Sequence, residues 1–248
     1  MHIIRSLLAF SLVVVLTASA ADETVAVATL YWEPYITTNS PDGGPATLIV
    51  KTAFQRGGLN SEIKIMPWVN AIEKSQSGEY HAIFPAYYSV ERDRKYLISN
   101  PILCSPVVLL ARASDDIQYS GLASLEPYRI GVVAGYANAE AFDDAKQLNK
   151  VTNKSDLDNL IKLKAGDVDL AVFDKLVAVA LLHQHSDILG DFEDYHFLSP
   201  TLGNRDMYVM FPKCLPDSKM RMNRFNKGLE KMRQDGTIET IIRKHGFH

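Results

Sequence analysis

A guanidinium and a carboxylate from two different parts of the chain could together hold a small zwitterion. Arg92 lies in the run VERDR, and its planar fork can take a carboxylate in two parallel hydrogen bonds, which a lysine cannot do. Arg94 stands two positions further along, and we expect it to face water in an ion pair with a neighbouring acid. Asp174 ends a short apolar segment. It is either a solvated strand end or a partner for the cation of a ligand.

Aromatic residues and a glycine turn supply further candidates for a pocket. The tryptophans Trp32 and Trp68 stand beside prolines, where they could stack on a ligand or pack in the core. The run VAGYANAEAF predicts a strand, a glycine turn and then a helix. Backbone amides around Gly135, Tyr136 and Ala137 would attract an anion at such a helix start. An ordinary turn from strand to helix has the same pattern.

The elements that must position these residues alternate between strand and helix. Short apolar segments bounded by turn residues predict four buried strands of mostly parallel sheets, at 25–30, 81–85, 129–134 and 168–173. Helical patterns fall between them, which favours an α/β fold. Ligands of open α/β sheets bind beyond the carboxyl ends of the strands, and the candidate residues lie just after such ends.

The chain shows signs of two similar halves. SGEYHAIFPA, at 77–86, aligns without gaps on AGDVDLAVFD, at 165–174, although any helix-to-strand unit has a similar order. Two extended runs, 104–112 and 207–213, are the best candidates for paired strands that cross between the halves. A chain that crosses twice forms a hinge.

Composition and the first residues narrow the class of protein. A net charge of −3 leaves no basic surface for nucleic acid or an anionic membrane, so we expect a small-molecule partner. Residues 1–20 have the pattern of a secretory signal peptide cleaved after Ala20. Export to an oxidising compartment would permit a disulfide between Cys104 and Cys214, with two separate thiols as the alternative.

Six runs, in order, resemble the amino-acid-type, family 3, extracellular solute-binding proteins that serve ABC importers. They are YWEPY, MPWVNAI with SGEYHAI, SVERDRKYLISNPI, LASLEPYRIGVVAGY, LKAGDVDLAVFD and NKGLEKMRQDGTIETIIRKHGF. The resemblance covers nearly all of the mature chain and implies a periplasmic-binding-protein-like fold of two α/β lobes joined by two hinge strands. We expect lobe 1 at 21–104 and 211–248, and lobe 2 at 105–210.

The resemblance also implies a function and a site. The protein would be a periplasmic monomer that captures an amino-acid-like ligand without a cofactor and delivers it to a membrane permease. Arg92 would hold the α-carboxylate and Asp174 the α-amino group, while Trp32 and Trp68 line the pocket. Backbone amides around Gly135 would complete the anion site.

Two positions depart from the family pattern. Tyr87 lies where a small hydroxyl-bearing residue is usual, so a hydroxyl contact is lost or replaced by a phenol. Tyr136 replaces the usual Thr or Ser after the glycine. Both changes add aromatic surface, and the identity of the ligand therefore does not carry over from the family.

Other readings of the sequence remain open. The fold is similar to that of periplasmic cyclohexadienyl dehydratases, and Glu33 or a histidine could then act as acid or base. The closed lobes could also dock on a membrane receptor instead of an importer. Metal binding by His183 and His185 is disfavoured, because residues two apart on a helix point to different faces. His81 is expected to be structural.

Overall fold

The computed structural model describes residues 24–247, and the predicted signal peptide lies outside the described residues. Within that range the chain forms ten strands and nine α-helices. The strands are β1 Thr24–Thr29, β2 Asn60–Ile65, β3 Ala82–Tyr87, β4 Tyr96–Ile98, β5 Leu103–Arg112, β6 Arg129–Val133, β7 Asn149–Asn153, β8 Leu170–Asp174, β9 Tyr195–Phe197 and β10 Gly203–Pro212. The helices are α1 Pro45–Arg56, α2 Trp68–Gln76, α3 Val90–Lys95, α4 Glu140–Asp144, α5 Asp156–Ala165, α6 Lys175–Gln184, α7 Ser186–Leu189, α8 Ser218–Gln234 and α9 Thr237–Lys244.

The strands follow the order β2-β1-β3-β10-β5-β8-β6-β7, with β4 added beside β10 and β9 beside β5. Strands β1, β2 and β3 are parallel and belong to the first lobe, while β6, β7 and β8 are parallel and belong to the second. Between these two groups run β5 and β10, paired antiparallel from Leu103 opposite Met207 to Val107 opposite Gly203. The predicted α/β fold with two lobes and two crossover strands is confirmed.

Burial explains why the four predicted strands form. Every residue of β3 (AIFPAY) and of β8 (LAVFD) is buried, as expected for strands covered by helices on both faces. The strands β1 and β6 also carry buried apolar residues. The predicted lobe limits, 104/105 and 210/211, fall inside β5 and β10.

The two lobes have the same hydrogen-bonding arrangement just before β3 in the first lobe and β8 in the second. In the first lobe His81 Nδ1 accepts from the amide of Ala26 at 3.1 Å, and the amide of His81 donates to the Ala26 carbonyl at 2.8 Å. In the second lobe a carboxylate oxygen of Asp169 accepts from the amide of Arg129 at 2.8 Å, and its own amide donates back at 2.8 Å. His81 and Asp169 are aligned in the two similar decapeptides. His81 therefore has the structural role predicted for it.

Helix ends follow the sequence signals at some positions and depart from them at others. Ser155 Oγ caps α5 by accepting from the amide of Asp158 at 3.2 Å, and Gly166 ends that helix with a φ of 79°. Thr237, a residue type common at helix caps, is instead the first residue of α9, and its hydroxyl donates to Asp235.

The helix expected directly after Gly135 begins only at Glu140. Asp143 holds the intervening loop, because its carboxylate accepts from the amide and the side chain of Asn138 at 2.7 and 3.0 Å. The amide of Tyr136 donates to the Val133 carbonyl at 3.1 Å. The predicted helix start is therefore wrong, and the amides of Tyr136 and Asn138 are bonded within the loop.

The two cysteines are both free and exposed in the structure. The thiol of Cys214 lies near the carbonyl of Gln76 at 3.4 Å, whereas Cys104 lies in β5 opposite Asp206. The disulfide considered from the sequence is thus not formed, because the thiols lie in different surroundings. Over residues 24–247, no helix has both the length and the apolar character needed to cross a bilayer.

Candidate functional site

Side chains from both lobes surround one small cavity where the lobes meet. Its lining consists of Leu30, Trp32, Trp68, Pro85, Tyr87, Arg92, Tyr136, Ala137 and Met207. Six of the eight predicted site residues are in this set, and the other two, Gly135 and Asp174, contact members of it. All eight predicted residues therefore lie at or directly beside this cavity.

Arg92 is positioned by the short helix α3, whose cap Ser89 accepts from the Arg92 amide at 3.2 Å. Its Nη1 donates to the carbonyl of Tyr87 at 2.7 Å, and its Nη2 donates to the carbonyl of Gly135 in the other lobe at 2.8 Å. The guanidinium also lies 5.5 Å from the ring centroid of Trp68. Burial lowers the pKa of Arg92 to about 10, so the group stays charged at neutral pH.

Gly135 presents its carbonyl oxygen to the cleft as an acceptor, which the sequence pattern does not predict. Its carbonyl receives both Arg92 Nη2 and, at 3.1 Å, the indole Nε1 of Trp68. Its φ is 74°, and a Cβ there would lie 3.3 Å from Ile72 Cδ1 of the first lobe. Glycine is favoured here, because other residues rarely adopt this left-handed turn and a Cβ would crowd Ile72 across the lobes.

Asp174 ends β8 and caps α6, and it is only 5% exposed. Its carboxylate accepts from the amides of Leu176 and Val177 at 3.0 and 3.3 Å. Two first-lobe phenols also donate to it, Tyr87 at 2.6 Å and Tyr35 at 3.1 Å. Burial raises the pKa of Asp174, and these donors oppose the rise. In this closed state the phenols cover the carboxylate.

Asp156 is a second buried carboxylate in the cleft, and the sequence analysis missed it. It is 7% exposed, and one of its oxygens accepts from Trp32 Nε1 at 3.1 Å and from the Tyr136 hydroxyl at 2.8 Å. Burial raises its pKa to about 6. Its position after β7, at a strand's carboxyl end, was the available signal. Tyr35, inside the run YWEPY, was missed in the same way.

Aromatic rings fill most of the space between these charged groups. The ring of Trp32 lies 5.1 Å from Tyr35, 6.1 Å from Tyr87 and 6.4 Å from Tyr136, measured between centroids. The remaining cavity measures about 20 Å³, roughly the space one water molecule needs. A ligand of amino-acid size therefore requires these rings to move.

A larger groove of about 720 Å³ opens beside the cavity, also between the lobes. It shares Leu30, Trp32, Trp68 and Tyr136 with the cavity, and Asp156 lies in its wall. The other charged or titratable groups in the wall are Glu33, Lys154 and His185. These four side chains, the rings of Trp32 and Tyr136 among them, thus lie between the cavity and the groove.

No cluster of three or more potential metal ligands occurs among residues 24–247. His183, considered for metal binding, instead stacks on Phe192 with ring centroids 5.3 Å apart. Glu33 accepts from the side chains of Thr37 and Asn39 at the mouth of the groove.

Comparisons with known proteins agree with this architecture. The model of the family described as bacterial extracellular solute-binding proteins, family 3, matches residues 26–248. No curated protein sequence matches the chain significantly. Solved structures are similar in fold, among them an ancestral arginine-binding protein bound to arginine, with 21% identity, a TM-score of 0.75 and coverage of 90% of this chain and 98% of that one.

Two further structures with the same fold are a ligand-binding core and a kinase's sensor domain. The GluR0 ligand-binding core from Nostoc punctiforme in complex with L-glutamate is 17% identical, with a TM-score of 0.73 and coverage of 90% and 99% of the two chains. A histidine kinase sensor domain with similarity to periplasmic binding proteins is 18% identical, with a TM-score of 0.76 and coverage of 90% and 96%. The family model matches residues 26–248, which include both lobes, the crossover strands and the cleft. The chain therefore belongs to the bacterial extracellular solute-binding proteins of family 3.

Proposed function

We propose that the protein captures a small amino-acid-like ligand between its lobes in the periplasm and delivers it to an ABC importer. The observation that carries this proposal is the convergence of charged groups from both lobes on one enclosed cleft. Arg92 comes from the first lobe and Asp174 from the second, and hydrogen bonds of both cross between the lobes.

Arg92 is the group that binds the ligand's carboxylate. Its two Nη atoms now donate to neutral carbonyl oxygens, and a carboxylate is a stronger acceptor for a guanidinium than a carbonyl. Trp68, which lies against the guanidinium, forms the wall beside the bound carboxylate. Ligand entry thus replaces the bond from Arg92 to Gly135.

Asp174 is the group that binds the ligand's ammonium. The hydroxyls of Tyr35 and Tyr87 now fill the position a cation would take, and they must turn aside when it enters. The amides of Leu176 and Val177 hold the carboxylate in place meanwhile. A ligand that carries both charges bridges the lobes, and this difference in affinity between open and closed states favours closure.

The related solved structures support the class of ligand. Their descriptions name arginine, glutamine and L-glutamate as the molecules bound. All three carry an α-carboxylate and an α-ammonium, which are the groups that Arg92 and Asp174 would hold.

A thermal-shift screen of the refolded, ligand-stripped protein against amino acids, small amines and carboxylates tests the proposal. A ligand at 100 times its Kd should stabilise the protein by about 2.7 kcal/mol, which raises Tm by about 5 to 10 °C. Arg92→Ala should abolish the response, because losing one partner of a buried charge pair costs about 2 to 5 kcal/mol of binding. Arg94→Ala, on the exposed side of the same helix, is the matched control and should respond like the wild type.

Two results would contradict the proposed site or function. Wild-type affinity in both Arg92→Ala and Asp174→Ala would show that these residues do not bind the ligand. Turnover of prephenate or arogenate by the purified protein would replace capture with catalysis. Delivery is tested separately by uptake of the identified ligand, radiolabelled, in cells that lack the gene, and uptake should fall.

A further inference from the structure

The cleft contains more buried negative charge than buried positive charge. Asp156 and Asp174 are both more than nine-tenths buried, and neither forms an ion pair with any residue in the range 24–247. Their side-chain partners are neutral indole and phenol groups. Arg92 is the basic residue in the cavity wall, and it donates to carbonyl oxygens. An unpaired buried charge is costly, so this site favours an added cation.

Asp156 is placed to meet the part of a ligand that extends beyond Asp174 and Arg92. It is the first residue of α5 and lies in the wall of the groove beside the cavity. Trp32 and Tyr136 stand between the cavity and the groove, and both are held there by one oxygen of Asp156. If these two donors leave Asp156, the cavity and the groove become one space that ends at a free carboxylate.

The walls of that space are mainly apolar. Leu30, Met66 and Trp68 line it from the first lobe, and Val133 and Leu157 from the second. Glu33 and Lys154 in the same wall carry opposite charges, so together they do not alter the net charge of the cleft. The space therefore suits a hydrocarbon chain that carries a charged end.

We propose that the ligand is an amino acid with a second cationic group at the end of an apolar side chain, and that Asp156 binds this second cation in place of Trp32 and Tyr136. The inference rests on the proposed function and adds the class of side chain to it. Such a ligand has one net positive charge, which matches two buried carboxylates facing a single guanidinium.

The exchange at Asp156 is favourable for an electrostatic reason. A cation and the carboxylate attract each other through their opposite charges, and the neutral indole and phenol donors lack this attraction. The displaced indole of Trp32 stays beside the site, and its face can contact the bound cation. Burial of the ligand's alkyl stem against the apolar wall adds to the affinity.

Isothermal titration calorimetry at pH 8 with matched probes tests the inference. The cationic probes are L-lysine, L-ornithine and L-arginine, and their uncharged counterparts of similar shape are L-norleucine and L-citrulline. We expect the cationic probes to bind at least about tenfold more tightly than the neutral ones. Asp156→Asn should remove most of this preference.

The control variant is Asp167→Asn, which removes the same charge from an exposed position just after the other end of α5. It should retain the wild-type preference, and melting curves of both variants check that they are folded. The fluorescence of the two tryptophans, Trp32 and Trp68, gives a second readout, because the indole of Trp32 leaves Asp156 when a cation binds. The spectral change should be larger with L-lysine than with L-norleucine, and Asp156→Asn should remove this difference.

Two outcomes separate this inference from the proposed function. Equal or tighter binding of the neutral probes, or a full cationic preference in Asp156→Asn, overturns the role of Asp156 while capture of an amino acid stands. Failure of every amino acid in the wider screen to bind overturns the proposed function and this inference with it.

Discussion

The two buried carboxylates of the cleft are compensated to different degrees. Asp174 receives two backbone amides at the start of α6 and two phenol hydroxyls. Asp156 receives one indole and one phenol, and burial leaves its pKa at about 6. Burial beside Asp156 also raises the pKa of Tyr136, which therefore remains a donor. Asp156 is the less well compensated of the two carboxylates.

This difference predicts that Asp156→Asn stabilises the ligand-free protein at neutral pH. The native pKa of about 6 lies above the unfolded value of 3.8, so the native state binds more protons between these values. The free energy of unfolding therefore falls as pH rises from about 4 to about 6, by up to about 3 kcal/mol for this group. The amide of asparagine avoids this loss and can still accept from Trp32 and Tyr136.

Urea unfolding at pH 4 and pH 7.5 measures the effect. The variant should be more stable than the wild type at pH 7.5, and the difference should nearly vanish at pH 4. Glu33, Lys154, His185 and Asp174 are the other titratable groups near Asp156, and they are unchanged in the variant. Asp167→Asn should show no such pH-dependent gain. A less stable Asp156→Asn at pH 7.5 would contradict the argument.

Residue types in local runs singled out most residues of the cavity wall. Arg92, Trp32 and Tyr136 were predicted from their positions after strand ends and Trp68 from its place beside a proline, and all four line the cavity. Asp156 was missed because its neighbours predict only a capped helix. Its partner Trp32 lies 124 positions away, so no local pattern reveals the contact.

At the scale of elements, the close packing of α1 against α8 depends on a glycine. A Cβ at Gly228 of α8 would lie 1.9 Å from the carbonyl oxygen of Ala53 in α1 and 2.8 Å from the amide nitrogen of Gly57. Both contacts are with backbone atoms, which cannot turn aside. The helices must therefore separate if this position carries a side chain.

We expect Gly228→Ala to destabilise the protein by about 1 to 3 kcal/mol or more, because overpacking against a backbone forces the elements apart. Alanine has a higher intrinsic helix propensity than glycine, which would stabilise α8 by about 0.5 to 1 kcal/mol, but the steric effect exceeds this gain. Urea unfolding with Lys227→Ala as the exposed control on the same helix tests it. Unchanged or increased stability of Gly228→Ala would refute the packing argument.

Six of the ten strands within residues 24–247, β1, β3, β5, β6, β8 and β10, followed from the sequence pattern, whereas the start of α4 did not. Its delayed start at Glu140 reflects the bonds from Asn138 to the carboxylate of Asp143, which a strand-turn-helix pattern does not contain. The same loop directs the carbonyl of Gly135, not its amide, towards Arg92. Loop conformations of this kind depend on side-chain bonds that have no repeating sequence signal.

At the scale of the whole molecule, the lobes close on each other through the cleft residues themselves. Hydrogen bonds cross from Trp32 to Asp156, from Tyr87 to Asp174 and from Arg92 to Gly135. The crossover strands β5 and β10 form the connection about which the lobes can move. The cavity left by this closure is too small for an amino acid.

We predict that the double variant Trp32→Phe, Tyr87→Phe shifts the ligand-free protein towards an open form. Each lost hydrogen bond contributes about 0.5 to 1.5 kcal/mol to closure, and an aromatic ring remains at both positions, although phenylalanine fills less space than tryptophan at position 32. Small-angle X-ray scattering should give a radius of gyration near 17 Å for a compact chain of this length and a larger value for the variant.

Tyr128→Phe, which changes a phenol outside the cleft lining, is the control and should scatter like the wild type. Identical radii for the wild type and the double variant would mean that these bonds do not hold the lobes together.

The sequence by itself determined the α/β lobes, the two crossover strands and the cleft residues that follow strand ends. These features depend on hydrophobic periodicity and on short runs of neighbouring residues, which a single chain displays directly. Only the tertiary structure decided that Asp156 joins the cleft, that phenols cover Asp174 and that a carbonyl of Gly135 meets Arg92. Each of these features depends on contact between segments that are distant in the sequence. The burial of Asp156, which raises its pKa, likewise arises only when both lobes have folded and closed.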